Sequence, residues 1–233
     1  MNIQGFSQNL ERYAKELSTL LTRTALPPET KEELEKLSGD RIPGALKFVL
    51  ESSRKMDGLI TALLKVSRIG RVEMKPETVE MNGLIKRILA SLRFQLETTG
   101  GEVRCGELPP CTADQAAVSQ LFSNLLDNAV KYRQAGRALV VTVSGEVKGG
   151  MVLYTVADNG SGIEEPELHR IWNVFYQADR RPGRKGEGIG LPMVRRITEK
   201  NGGGIRAESK YGEGTTFYLE LPAAEEKKNG KQQ

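Results

Sequence analysis

The sequence predicts an α+β protein in two parts: an N-terminal antiparallel helical hairpin that pairs into a dimeric four-helix bundle, followed by an α/β sandwich with a mixed sheet. Three observations carry this. The first third repeats apolar residues at alternating steps of three and four. After Arg68-Ile-Gly-Arg-Val-Glu-Met-Lys-Pro76, helical patterns alternate with short strand-like runs. The length, 233 residues, allows between one and two domains at ~150 residues each, with a core that needs no disulfide or metal. The expected division is residues 1–70 for the hairpin, 71–222 for the sandwich and 223–233 for a disordered polar tail.

Ile3, Phe6, Leu10, Tyr13, Leu17 and Leu20 form the first seam. Pro27 and Pro28 break it, and Glu29 to Ser38 predicts a short helix between the two long ones. Ile42, Leu46, Val49, Ser53, Met56, Ile60, Leu63 and Ser67 form the second seam. Two such helices have too little surface to bury alone, so a second copy is expected to cover the seams. The alternative is a seam packed on the rest of the chain. Glu77 to Met81 reads as a short strand, and Leu84 to Leu96 as a helix. Glu102 to Cys105 reads as another strand. Asp114 is the expected N-cap of a helix running through Val118, Leu121, Phe122, Leu125 and Ala129. Leu139–Val147 and Met151–Ala157 predict a hairpin turning at Gly149-Gly150. A helix from about Gly188 to Asn201 and strands at Ile205–Ser209 and Thr215–Leu221 complete the order.

Composition removes several classes of function. The net charge is +4 with both signs interspersed, unlike a nucleic-acid-binding arm. No apolar run approaches the ~18 residues that a membrane span requires, and no signal-peptide pattern opens the chain. The expected compartment is the cytosol. Cys105 and Cys111 form neither a disulfide framework nor a four-ligand zinc site, and read as reduced thiols. The single histidine, His169, rules out multi-histidine metal sites.

Three constellations carry chemistry. In Phe122-Ser-Asn-Leu-Leu-Asp-Asn-Ala-Val-Lys-Tyr-Arg133, Asn124, Asn128 and Lys131 share one helix face. Two amides and an ammonium on an otherwise apolar helix suit a metal ion and phosphate oxygens, or else form a solvated polar stripe. Asp158-Asn-Gly-Ser-Gly-Ile163 ends an apolar strand with a carboxylate. That carboxylate can accept a hydrogen bond from an exocyclic amine such as adenine's, and the same pattern fits an ordinary Asx or glycine turn. Gly183 to Val194 places Gly186, Gly188 and Gly190 ahead of a helix with Pro192 in its first turn. Such a loop offers free N–H groups and the positive helix end to phosphate, or is simply a surface loop. It lacks the Walker ending and no strand precedes it.

Taken in order, Asn124-x3-Asn128-x2-Lys131, DNGSGI, Phe175, GEGIGL and Gly212-Glu-Gly-Thr-Thr-Phe217 resemble the N, G1, F, G2 and G3 boxes of the histidine-kinase catalytic domain, the Bergerat ATP-binding fold. The resemblance covers about residues 76–222. The preceding hairpin looks like that family's dimerisation and phosphoacceptor domain, and IQGFSQNLE and SRKMDGLITALLKVSRIG resemble the PAS- and phytochrome-linked type.

What the resemblance implies is a core that binds Mg·ATP, passes the γ-phosphoryl group to a histidine and then to an aspartate of a response-regulator receiver domain docked on the bundle. Asn128 would coordinate Mg²⁺ on the ATP phosphates. Asn124 and Lys131 would hold metal and phosphate, and Tyr132 or Arg133 would line the same edge. Asp158 would take the adenine amine, with Gly160 and Gly162 admitting the base and Thr215 or Thr216 near it. Gly186, Gly188 and Gly190 would close a lid over the triphosphate, anchored by Phe175 and charged by Arg180, Arg181, Arg184 and Lys185. Gyrase-type relatives carry a Glu where Asn124 stands. An amide cannot act as a general base, which favours phosphoryl transfer over hydrolysis.

The chain departs from the family in one respect above all. By alignment, the phosphoacceptor histidine would fall about seven positions before Met1. His169 lies in Pro166-Glu-Leu-His-Arg-Ile-Trp172, between the second and third boxes, and is expected at the surface. Two readings follow: a piece of a longer sensor kinase, or a short ATP-binding regulator or dimerisation partner without kinase activity. In either case the chain alone is expected not to label itself on histidine. Glu187 stands where the family often has Thr or Ser, and Trp172 replaces its usual Phe as a core residue.

Overall fold

A computed structural model describes residues 3–23, 27–71, 73–178 and 188–225. The chain divides into two compact units, residues 1–62 and 63–233.

The first unit is helical. α1 spans Ile3–Arg23, α2 spans Pro28–Lys36, and α3 begins at Ile42 and runs to Arg71. Pro28 opens α2 at a first-turn position, where its missing N–H costs nothing. The short helix expected over Glu29 to Ser38 is α2. α2 passes through one π-helical stretch, Leu37–Arg41, directly into α3. The reason lies in the backbone: Leu37 and Ile42, on either side of the stretch, both keep right-handed helical angles. Ser38 turns inward there, its hydroxyl donating to the Leu34 carbonyl at 2.8 Å. Ala14, Leu50 and Ser53 are buried with it. The seam of α1 is not buried within the unit: Phe6, Leu10, Tyr13, Leu17 and Leu20 are all between 45% and 61% exposed. In α3, Val49, Met56 and Ile60 are exposed as well.

The second unit holds the sheet. β1 (Glu77–Val79) pairs antiparallel with β3 (Cys111–Ala113) as a two-stranded ribbon. β2 is Glu102–Cys105, β4 Val140–Lys148, β5 Met151–Asp158, β6 Gly204–Lys210 and β7 Gly214–Pro222. These five form a sheet in the order β2-β4-β5-β7-β6. β2 and β4 run parallel and the remaining pairs antiparallel, so the sheet is mixed. At the β4–β5 turn Gly149 and Gly150 both take positive φ, 60° and 77°, as a two-residue hairpin of matching twist requires.

α4 (Met81–Thr99), α5 (Gln115–Lys131) and α6 (Gly190–Lys200) cover one face. Along β7, Thr215, Phe217, Leu219 and Leu221 point into the core while the intervening residues face outward. α5 is the central helix. It buries Val118, Leu121, Phe122, Leu125, Leu126, Ala129 and Val130, and Phe122 meets Tyr154 of β5 edge-on at 5.7 Å. At ~1.5–3 kcal/mol for each large apolar side chain, this packing dominates its placement. One end of α5, the exit of β5 and the start of β7 therefore come to the same edge, with α6 beside them. No helix among the described residues is long and apolar enough to cross a membrane.

Candidate functional site

α5 begins where Asp114 accepts a hydrogen bond from Ala117 N–H at 2.9 Å, which fixes its register. Because its other positions are packed in the core, Asn124, Asn128 and Lys131 are carried onto the face left open. They line a cavity of about 1120 Å³. The Asn124 amide donates to the Gln120 carbonyl at 2.9 Å and lies 3.6 Å from the Met193 sulfur. Lys131 Nζ sits 4.7 Å from the centre of the Tyr132 ring.

Opposite these amides is the start of α6. A Cβ built on Gly190 would stand 3.5 Å from Asn124 Oδ1 and 3.8 Å from Asn128 Nδ2, so the helix N-terminus abuts both. Among the described residues no side chain caps that terminus, and Pro192 lies in its first turn. Its positive end and its N–H groups thus face the same cavity as the two amides.

Asp158, the last residue of β5, also lines the cavity. Burial pushes its carboxyl above the ordinary value. The N–H groups of Gly160 and Thr215 and the charge of Arg137 act the other way. Gly160 N donates to Asp158 Oδ1 at 2.8 Å. A Cβ on Gly160 would lie 2.7 Å from that same oxygen and 2.8 Å from the Tyr132 carbonyl. Gly162 takes φ +66°, and a Cβ there would lie 2.1 Å from the Lys210 carbonyl. Both glycines therefore permit close backbone approaches, Gly160 beside Asp158 and Gly162 against Lys210. Thr215 is buried and its hydroxyl lies 2.9 Å from that of Ser209.

Of the expected site residues, Asn124, Asn128, Lys131, Tyr132, Asp158, Gly162, Gly188, Gly190 and Thr215 share the cavity. Gly160 is buried behind Asp158. Thr216 alternates away from Thr215 along β7, and the cavity lining does not include it. Phe175 lies outside the lining as well. Its N–H donates to the Gly188 carbonyl at 2.8 Å, and it is the one non-glycine with positive φ among the described residues, 69°. Gly186, Glu187 and the four lid cations fall outside the described residues. His169 is exposed. Trp172 meets Phe217 edge-on at 6.3 Å, as a packing residue.

Sequence reasoning missed part of the wall. Glu164, Glu167, Arg170, Tyr176 and Tyr211 also line the cavity. Arg170 pairs with Glu167 at 3.2 Å and stacks on Tyr176 at 4.4 Å. Their only sequence signal is position between the recognised boxes. Groups of acidic, histidine and cysteine side chains able to hold a metal by themselves are absent among the described residues, so a cation here would need phosphate oxygens as partners.

Residues 113–225 match the family described as Histidine kinase-, DNA gyrase B-, and HSP90-like ATPase. The chain is 33% identical over 206 residues to the methanogenesis regulatory histidine kinase FilI of Methanothrix harundinacea, across 88% of this chain and 23% of that protein. It is 34% identical over 184 residues to cyanobacterial phytochrome B of Nostoc sp., across 77% of this chain and 24% of that one. The chain thus spans about a quarter of the length of these relatives. Among solved structures, full-length ShkA in complex with AMPPNP matches at TM-score 0.61 and 26% identity, over 95% of this chain and 45% of that one.

Proposed function

We propose, from the premise that this chain is a sensor histidine kinase core and contains the ATP-binding domain of that family, that its cavity holds Mg·ATP and presents the γ-phosphoryl group to a histidine supplied outside this chain. The observation that carries the proposal is that one cavity brings together a half-buried carboxylate, two amides, an ammonium and the N-terminus of α6. This set of groups suits a nucleotide, with a hydrogen-bonding base at Asp158 and a polyanion at α6.

In this reading Asp158 accepts the exocyclic amine of adenine, and Thr215 lies beside it. Lys131 and the first N–H groups of α6 draw the phosphates, and the Asn124 and Asn128 amide oxygens are the neutral donors for a hydrated Mg²⁺. Mg²⁺ held there would supply neutralisation of phosphate charge. The protein's share of catalysis is alignment and charge compensation of an in-line transfer. Asn124 provides no base for water, so transfer to a protein acceptor exceeds hydrolysis. The exposed seams of α1 and α3 pair two copies, and onward transfer goes to a response-regulator aspartate.

A second reading, a nucleotide-binding regulator without transfer, draws on the lack of any histidine in α1–α3. One experiment separates the two. The chain with labelled ATP and Mg²⁺ is expected to form no acid-labile phosphoprotein. A version extended upstream, with His-Glu placed about seven residues before Met1, is expected to gain Asn128-dependent, acid-labile label. Silence of both chains despite ATP binding would favour the regulator.

A further inference from the structure

Arg137 lies in the loop between α5 and β4 and played no part in the expected site. Its Nη2 donates to the Asn159 carbonyl and to that of Gly160 at 2.8 Å. It also reaches the Gly212 and Glu213 carbonyls at 3.2 and 3.4 Å. These four oxygens belong to two different loops. One is the exit of β5, immediately after Asp158. The other is the β6–β7 turn, immediately before Gly214 and Thr215. Asp158 and Thr215 are register partners across β5 and β7, and both line the cavity.

The two loops meet through glycine. A Cβ on Gly214 would lie 1.9 Å from the Asp158 carbonyl, and one on Gly162 would lie 2.1 Å from that of Lys210. Gly212 N donates to the Ser161 carbonyl at 2.8 Å, and Ile163 N donates to the Ser209 hydroxyl at 2.8 Å. Such an approach turns several carbonyl dipoles toward one point. All four carbonyls meet one nitrogen, Nη2, whose two N–H groups and delocalised positive charge answer that convergence. Asn159 braces the same loop from within: its side chain accepts from Val140 N at 2.8 Å and donates to the Ala138 carbonyl at 3.0 Å.

We propose that Arg137 is a positioning residue for nucleobase recognition: its guanidinium ties the loop after Asp158 to the β6–β7 turn and so keeps the Asp158 carboxylate aimed at an exocyclic amine in the cavity. The proposal rests on the adenine-nucleotide reading above. Its charge acts on Asp158 as well, opposing the effect of burial. Among the described residues, the other charged groups around the cavity are Lys131, Glu164, Glu167 and Arg170.

The test is calorimetric titration with ADP over a series of pH values, on the wild type, Arg137→Ala, Arg137→Lys and Asp158→Asn, alongside each unfolding midpoint. Arg137→Ala is expected to weaken ADP binding about tenfold. Its loss of affinity on acidification should begin at a higher pH than in the wild type, because the Asp158 carboxyl loses a stabilising cation. Arg137→Lys should recover part of both. A lowered midpoint alone, or weaker binding with an unmoved pH profile, overturns the proposal, since that describes a purely structural residue. If Arg137→Ala does not fold, the same comparison in Arg137→Lys and Arg137→Gln decides. Wild-type affinity in Asp158→Asn, or no ADP binding by the wild type, overturns the adenine reading itself and this proposal with it. Weak binding in Asp158→Asn with an unaffected Arg137→Ala overturns this proposal alone.

Discussion

Asp158 shows how one residue is tuned by its neighbours. Burial raises its carboxyl, so the group takes up a proton at a higher pH than an exposed aspartate does. A carboxylate accepts from an amine at full strength only when ionised. Adenine-nucleotide affinity is therefore expected to fall as the pH drops through this raised value, and a plateau persisting well into acid would contradict the assignment. The adjoining glycines give a second test at this scale. Gly162→Ala combines a positive φ with a carbonyl 2.1 Å from the new Cβ, and is expected to cost at least about 2 kcal/mol in chemical denaturation. Gly204→Ala, with nothing within 4 Å, should cost far less. Part of the cavity lining was legible because chemistry forces its residue types: amides on an apolar helix, a carboxylate at a strand end and glycines beside it. Arg137 was not legible. Its partners are backbone carbonyls brought together only by the fold, and no sequence pattern marks a carbonyl.

Asp114 organises more than the first turn of α5. Its side chain also accepts from Lys75 N at 3.1 Å, and its own N–H donates to Asn201 Oδ1 at 2.9 Å. Burial works against the charge. The N–H groups of Ala117, Lys75 and Ala116 and the charge of Lys75 outweigh it, so the carboxyl sits below its ordinary value. A group with a lowered folded value contributes stability at neutral pH, and that contribution disappears as the pH falls through that value. Asp114→Ala is expected to cost about 1 kcal/mol at neutral pH and progressively less in acid, measured by denaturant unfolding. An equal cost at all pH values would refute the account. Element order in the second unit followed from periodicity and turn residues, with β3 the exception. Its three residues follow Leu108-Pro109-Pro110, and the strand exists through pairing with β1, which lies far away in sequence. In the first unit, the Pro pair correctly marked a break. The join of α2 to α3 escaped because a π-helical stretch has no dependable sequence signature.

The molecule combines a helical unit that leaves an apolar seam open and an α/β unit whose helices share one core. α1 exposes five large side chains in a single stripe, which is the surface that a second copy would bury. Light scattering is expected to give a dimer, and Leu10→Glu with Leu17→Glu a monomer that still binds nucleotide; a monomeric wild type would contradict the pairing. Fold class was legible because two different periodicities divide the chain. The expected lid residues Arg180, Arg181, Arg184, Lys185 and Gly186 lie outside the described residues. The central claim is that Asp158 and the Asn124–Asn128 face are the two ends of one nucleotide site. It is tested most directly by calorimetric titration of a non-hydrolysable ATP analogue, with and without Mg²⁺, into the wild type, Asn128→Asp and Asp158→Asn. The account predicts one-to-one binding that Mg²⁺ strengthens in the wild type, an altered Mg²⁺ response in Asn128→Asp, and binding lost in Asp158→Asn while the protein remains folded. No binding by the wild-type chain, or binding indifferent to Asp158, would contradict it.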